Sequence, residues 1–287
     1  MTPITEPGVE QVHDITQLLT FLVQNLGLTE ADLARVVELQ RARELQLPEA
    51  LLQLKLVTAA DLQKASQPSH RPALEVIGLA AQSMRFVREP LHPIAEQVRA
   101  LRTELLRRQA DRAHNCVAIV SSNTGDGRSS LAAALAMACA QLDQPTLLVD
   151  ADLRQPRQHE LFGVPRGPGL ADTLDRGVPP LVLGVRGFPH LAVVSAGTPV
   201  SNPLELLSSK PFVDLMNSWR RGYRHVILDT TAAERGADVV AVAGVAGAAV
   251  VLARLNHTSL PASIELLKRL RSAEIALLGS VVLKAAL

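Results

Sequence analysis

Ser121-Ser122-Asn123-Thr124-Gly125-Asp126-Gly127-Arg128-Ser129-Ser130 is a small-residue loop set between two different kinds of sequence. Val117-Ala118-Ile119-Val120 before it is a short apolar run with strand character, and Leu131 to Leu142 after it is rich in alanine and leucine, the composition of a buried helix. Strand, glycine loop and helix in that order let successive backbone amides point into one concavity, to which the helix adds the positive end of its dipole. A phosphate chain is the natural guest. Ser129 falls where phosphate-binding loops place their Mg²⁺ ligand, and Arg128 falls where they place the lysine that reaches the terminal phosphates. Arginine keeps the charge but replaces a compact ammonium with a longer planar fork, so attraction for phosphate is retained while the fit to a transition state changes. Thr124, Gly125, Asp126, Gly127, Arg128, Ser129 and Ser130 form the expected nucleotide-binding set.

Composition narrows the function classes. The chain has 287 residues, 47% of them hydrophobic, with Lys+Arg 29 against Asp+Glu 28. With no basic excess and only one Trp, one Tyr and five Phe for base stacking, nucleic-acid binding is not expected. Cys116 and Cys139 sit in apolar segments and are too few for a disulfide framework or a zinc site. The beginning of the chain carries Glu6, Glu10 and Asp14 and no apolar run, so no signal peptide is read there and a cytoplasmic setting is expected. Val239 to Ala253 is apolar but contains Gly244 and Gly247 and is shorter than the roughly 20 residues of a membrane span. A short helix, a glycine turn and a buried strand fit it better.

Residues 15 to 65 contain a repeat offset by 29, in which Leu22, Gln24, Thr29, Ala31, Asp32 and Leu33 recur as Leu51, Gln53, Thr58, Ala60, Asp61 and Leu62. Each copy runs from a leucine-rich helix into Thr-x-Ala-Asp-Leu, where threonine can cap the next helix and aspartate meets its positive end. Residues 1–65 are therefore expected to form a small all-helical module. A Ser- and Pro-containing linker is expected over 66–90, with one helix over 73–84 as an alternative for its middle. Beyond it, an amphipathic helix over 94–106 precedes apolar runs at 116–121, 146–149, 190–194, 225–228, 248–253 and 275–283. Near-continuous apolar strands separated by helices predict a doubly wound, mostly parallel α/β sheet over 91–287, with ligands at the carboxyl ends of its strands.

Two of those strands end in acids. Leu147-Leu148-Val149-Asp150-Ala151-Asp152-Leu153-Arg154 places two carboxylates two residues apart, on one side of an extended chain, where they suit metal or proton work or the capping of a following helix. Val226-Ile227-Leu228-Asp229 is a hydrophobic run ending in aspartate, the pattern that holds Mg²⁺ in phosphate-loop enzymes.

The loop at 121–130, the DxDxR element at 147–154 and the run at 226–229 together resemble the bacterial tyrosine kinases (BY-kinases) of exopolysaccharide synthesis. Gly169-Leu170-Ala171-Asp172-Thr173-Leu174, the stretch from Gly197 to Leu207 with Asn202-Pro203, and Leu278-Gly279-Ser280-Val281-Val282-Leu283 extend the resemblance over 91–287. The helical repeat followed by Glu89-Pro90-Leu91-His92-Pro93 is similar to the cytoplasmic chain-length-determinant subgroup, whose N-terminal module resembles that of type II secretion ATPases. The resemblance implies a phosphate-loop fold of the ParA/MinD-like class and ATP with Mg²⁺ as cofactors. It implies Arg128, Asp150 and Asp152 as catalytic residues and Ser129, Asp150 and Asp229 as metal ligands. It also implies activation by the cytoplasmic segment of a polytopic polysaccharide chain-length or export protein, with peripheral placement at the inner membrane through that partner. Glu96, Arg99 and Arg102 match the family's ExxRxxR element, which implies assembly into a homo-oligomeric ring.

The sequence departs from the family at Arg128, at Thr124 and Ala232 in place of prolines, and in the stretch Val282 to Leu287, which carries no tyrosine where the family has an autophosphorylated cluster. Tyr223, the one tyrosine, precedes a buried strand and reads as packing. Leu19 and Leu47 stand where related N-terminal modules that bind a cyclic dinucleotide have glycine, which favours protein docking there. Three functions follow: a kinase of polysaccharide export acting on another protein, a pseudokinase that regulates the same assembly without turnover, and a ParA/MinD-type positioning ATPase. The last is disfavoured by Asn123, where that class has a second loop lysine, and by ExxRxxR.

Overall fold

The computed structural model describes residues 47–58, 74–76, 92–110 and 114–284, with isolated positions at 32, 35, 36, 38, 39, 43, 87 and 89. The chain divides into two compact units, Met1–Ser69 and His70–Leu287. In the first, helix α1 (Leu47–Gln53) buries Ala50 and Leu51 completely. Asp32 lies in helix, and Val36 is buried. Leu22, Gln24, Thr29, Ala31 and Leu33 of the first repeat copy and Ala60, Asp61 and Leu62 of the second lie outside the described residues, as does Leu19.

The second unit is an eight-stranded sheet. Its strands are β1 (Leu74–Val76), β2 (Asn115–Ser121), β3 (Thr146–Asp150), β4 (Leu183–Val185), β5 (Phe188–Val194), β6 (His225–Asp229), β7 (Ala248–Arg254) and β8 (Ala276–Leu283), in the spatial order β1-β4-β5-β3-β6-β2-β7-β8. Every neighbouring pair is parallel except β4 with β5. The doubly wound α/β reading stands. The helix considered over 73–84 does not: Leu74–Val76 pair in parallel with Leu183–Val185, because an open strand edge satisfies backbone groups that local helix preference would otherwise claim.

Alternation along each strand sends side chains to two apolar layers. Val117, Ile119, Leu148, Ile227, Val250 and Leu252 face one core, with α2 (Pro93–Arg108) and α3 (Arg128–Ala140). Ala118, Val120, Leu147, Val149, Val226, Leu228 and Val251 face the other, with α5 (Leu170–Arg176), α6 (Pro203–Leu207), α7 (Lys210–Gly222), α8 (Asp238–Ala246) and α9 (Leu260–Ser272). Helix α3 is buried from Leu131 through Ala140. Its alanines let it lie close to the sheet centre, so its first turn is fixed at the strand ends.

The Gly169 to Leu174 element has a packing cause. A Cβ on Gly169 would lie 2.3 Å from the Ser195 carbonyl oxygen, so only glycine fits. That close approach lets the buried Asp172 carboxylate accept from the Gly169 and Thr198 amides at 2.7 and 3.1 Å. Asp172 thereby ties α5 to the turn after β5.

Candidate functional site

The parallel register sets Asp150 opposite Asp229 and Asp229 opposite Ile119, so β3 and β6 end together and β2 runs on to Ser121 at the same edge. The phosphate-type loop leaves β2 at this edge and closes on α3 through Gly125 and Gly127, whose φ values of 83° and 100° lie in the left-handed region. A cavity of about 410 Å³ opens there, lined by Thr124, Gly125, Gly127, Arg128, Ser129 and Ser130 on one side and by residues including Asp152, Arg157 and Leu161 on the other.

The loop is braced from both flanking strands. Glu234 accepts from the Thr124 amide at 2.7 Å and from the Asn123 side chain at 2.8 Å; its bonds to Thr124 hold its carboxyl below the usual range. From the other side, the Ser259 amide donates to Asn123 Oδ1 at 2.9 Å. Asp126 differs from the expectation placed on it. Its side chain is fully buried, accepting from the Asn123 amide at 3.0 Å and from Thr258 Oγ1 at 2.6 Å, with His257 Nδ1 at 3.1 Å. It shapes the loop from beneath and does not line the cavity. Small loops leave backbone donors to be satisfied locally, and a buried carboxylate answers that need.

Arg128 is held in the same way. Its Nε donates to the Thr230 carbonyl at 2.9 Å, and one terminal nitrogen donates to the Asn123 carbonyl at 2.7 Å and to the Ser121 hydroxyl. The residue is 8% exposed. The other terminal nitrogen has no hydrogen-bond partner among the described residues, and Arg128 lines the cavity. A lysine would bring one mobile point charge to this place; Arg128 brings a guanidinium pinned on one side with the remaining donors on the other.

The three aspartates play different parts. Asp150 is completely buried, and both its oxygens are engaged: Oδ1 by the Asp152 amide at 3.3 Å, Oδ2 by the Arg157 and Gln158 amides at 3.0 and 2.9 Å. It caps α4 (Gln158–Phe162). Asp152 accepts from the Arg154 and Gln155 amides through Oδ1 alone, at 3.1 and 2.8 Å, and lines the cavity. Asp229 is buried with Oδ2 held by Gln158 Nε2 at 2.8 Å and with Oδ1 without a hydrogen-bond partner among the described residues. Burial, then the charge of Asp229, push the Asp150 carboxyl well above its ordinary range. Burial pushes Asp229 up to about 6, against the opposing pull of the nearby Ser129 hydroxyl and of Gln158.

Mg²⁺ suits this donor set. Among the described residues no three His, Cys, Asp or Glu side chains gather into a metal cage. Mg²⁺ in phosphate sites asks for less, taking one or two protein oxygens and completing its shell with phosphate and water. The Ser129 hydroxyl beside Asp229 and the orphaned Asp229 Oδ1 supply that pair. Sequence reasoning missed Gln158, Glu234 and the His257-Thr258 pair, which reach the loop from other turns and carry no spacing signal.

On α2, Glu96 and Arg99 pair with each other at 2.7 Å. Arg102 turns inward and donates to the Ala138 carbonyl at 2.7 Å, its Nε buried without a partner among the described residues. Tyr223 is 7% exposed, and burial pushes its hydroxyl up to about 12. Among the described residues no helix is long and apolar enough to cross a membrane.

No family model matches the chain. Over 196 residues, 68% of its length, it is 34% identical to EpsB of Ralstonia nicotianae; the match covers 26% of EpsB, so the chain spans about a quarter of that relative's length. It is 32% identical over 194 residues to the tyrosine-protein kinase YwqD of Bacillus subtilis, a match covering 67% of this chain and 82% of YwqD. Among solved structures, the kinase domain of the Escherichia coli tyrosine kinase Etk superposes with a TM-score of 0.66 at 27% identity, over 71% of this chain and 80% of that one. The septum site-determining protein MinD of Pyrococcus horikoshii, complexed with Mg-ADP, shares the fold at 18% identity and a TM-score of 0.52, over 59% of this chain and 70% of that one.

Proposed function

Because the chain belongs to the family of bacterial tyrosine-protein kinases, we propose that it binds ATP with Mg²⁺ at the strand ends and serves polysaccharide chain-length control or export. The observation that carries this reading is the meeting, at one edge of the sheet, of the buried Asp150–Asp229 pair with a glycine loop, Ser129 and Asp152 that line a cavity of about 410 Å³. In it the amides of Gly125 to Ser130 cradle the phosphates, Arg128 offers its free terminus to them, and Ser129 and Asp229 hold the metal, which when bound neutralises phosphate charge. Asp152 is the better acceptor for a substrate hydroxyl proton, since both oxygens of Asp150 are spent on backbone amides. Tyr223 is 7% exposed, which argues against it as the acceptor and favours a group on another protein. A cytoplasmic segment of a polytopic export protein is the proposed activator, and self-association through α2 the proposed assembly.

The pinning of Arg128 favours a second reading, a regulatory pseudokinase. A guanidinium fixed by three protein acceptors binds ground-state phosphate but cannot follow charge onto a leaving group as a free ammonium does. Titration with ADP and ATP, with and without Mg²⁺, beside phosphate-release assays on the native chain and Arg128→Lys separates the two. Binding with little turnover, raised tenfold or more by lysine, supports the pseudokinase; robust turnover in the native chain excludes it. Absence of nucleotide binding removes both readings.

A further inference from the structure

Gln158 belongs to none of the motifs described above, yet it touches Asp150, Ser129 and Asp229. It opens α4 and is completely buried. Its backbone amide donates to Asp150 Oδ2 at 2.9 Å, while its side-chain Nε2 donates to Asp229 Oδ2 at 2.8 Å and to the Ser129 carbonyl at 3.1 Å. Both side-chain partners are acceptors, so the orientation of the amide is determined: turned over, its oxygen would face two other oxygens. Gln158 Oε1 and Asp229 Oδ1 are both buried with no hydrogen-bond partner among the described residues. Buried acceptors in native proteins are nearly always satisfied, and two in one cluster call for a shared explanation. A group that presents only positive charge or donated hydrogens to both meets the requirement. A divalent cation and the water it holds are such a group.

We propose that Gln158 is a positioning residue of the divalent-cation site: Nε2 holds the Asp229 carboxylate in place, and Oε1 accepts from the cation's water shell. The inference rests on the reading that the cavity takes Mg²⁺ with a nucleotide. Outer-shell partners of this kind typically change metal affinity by about 10- to 100-fold when removed. The Met side chain is close to Gln in length and volume but supplies neither the donor nor the carbonyl oxygen, so Gln158→Met isolates the role from packing.

The test uses the full chain and fluorescently labelled ADP, titrated in excess Mg²⁺ and in excess EDTA. The native chain is expected to bind more tightly with Mg²⁺. Gln158→Met is expected to keep its EDTA affinity within about twofold while its Mg²⁺ gain falls about tenfold or more. Should Gln158→Met not fold, Gln158→Asn, which retracts the amide by one carbon, reads the same ratio. An unchanged Mg²⁺ gain, or equal loss in both conditions, overturns the inference and reduces Gln158 to packing. A native chain that binds ADP equally with and without Mg²⁺ overturns it too but leaves nucleotide binding standing, whereas no binding in either condition removes the functional reading and this inference with it.

Discussion

A carboxylate such as Asp229, buried completely with one oxygen unpartnered among the described residues, holds free energy that ligand binding can release. Its pKa lies near 6 in the folded chain, above the unfolded value near 3.8. An acid raised in this way binds its proton more tightly when folded, so its contribution to stability is most favourable below pH ~3.8 and is lost as pH rises through about 6. Above that the fold carries the whole cost, on the order of 1–3 kcal/mol. Asp229→Asn removes the charge but keeps an acceptor for Gln158. It is expected to stabilise the nucleotide-free protein by that amount at pH 7.5, to keep roughly half of the advantage at pH 5, and to abolish the Mg²⁺ dependence of ADP affinity. Urea unfolding of both proteins at the two pH values checks this; an Asp229→Asn variant less stable at both would sink it. At this scale the sequence told which residues stand at the strand ends and little about what their atoms do. The slot of Arg128 is legible from spacing, whereas the retreat of its guanidinium to Thr230, Asn123 and Ser121 depends on acceptors up to 102 positions away. Asp126 looked like a phosphate-loop residue and is a buried brace for the same reason.

Elements were read well where they are long and apolar. The six runs taken as strands correspond to β2, β3, β5, β6, β7 and β8, because burial on both faces makes a parallel strand visible as an uninterrupted hydrophobic run. β1 and β4, three residues each, lie below the length at which any period shows, and β4 turns antiparallel into β5 through Gly187 at φ 78°. Joints between elements were least legible. Arg154, the last residue of DxDxR, donates to Asp238 at 2.5 and 3.1 Å, tying the turn after β3 to the start of α8. Asp238 is 2% exposed at its side chain and Arg154 34%, so this pair lies between a surface bridge and a buried one. Asp238→Ala is expected to cost about 1–3 kcal/mol in denaturant unfolding, more than a surface pair and less than a fully buried one. It is also expected to weaken ADP binding, because the turn it frees carries Asp152. In a double-mutant cycle with Arg154→Ala, a coupling below about 0.5 kcal/mol would show that the strut is incidental.

For the whole molecule, the proposed ring hangs on α2, and its three charged residues divide between two jobs. Glu96 and Arg99 pair at the edge of the helix's outer face, with Glu96 73% and Arg99 21% exposed at their side chains. A neighbouring subunit can exchange such a contact for an intermolecular one at small cost, since a pair with one partner in solvent is worth little more than the about 0–1 kcal/mol of an exposed one. Arg102 is committed within its own chain: it closes the C-terminal end of α3 through the Ala138 carbonyl, where a cation meets the negative end of the helix dipole. Spacing of three along a helix put these residues on one arc, but the outermost of an arc faces solvent while its edge faces the protein, and periodicity alone does not say which is which. The two roles part experimentally. Glu96→Ala/Arg99→Ala is expected to leave the melting temperature within about 2 °C and to shift light scattering toward the monomer across a concentration series. Arg102→Ala is expected to lower the stability of the monomer itself by about 1–3 kcal/mol, a fall of several degrees for a domain of this size, because removing a charged donor leaves a carbonyl and a helix end uncompensated. If Arg102→Ala instead dissolves the oligomer without moving the melting temperature, the guanidinium is shared with a neighbour. If Glu96→Ala/Arg99→Ala leaves a stable oligomer intact, the assembly surface lies elsewhere on the sheet unit.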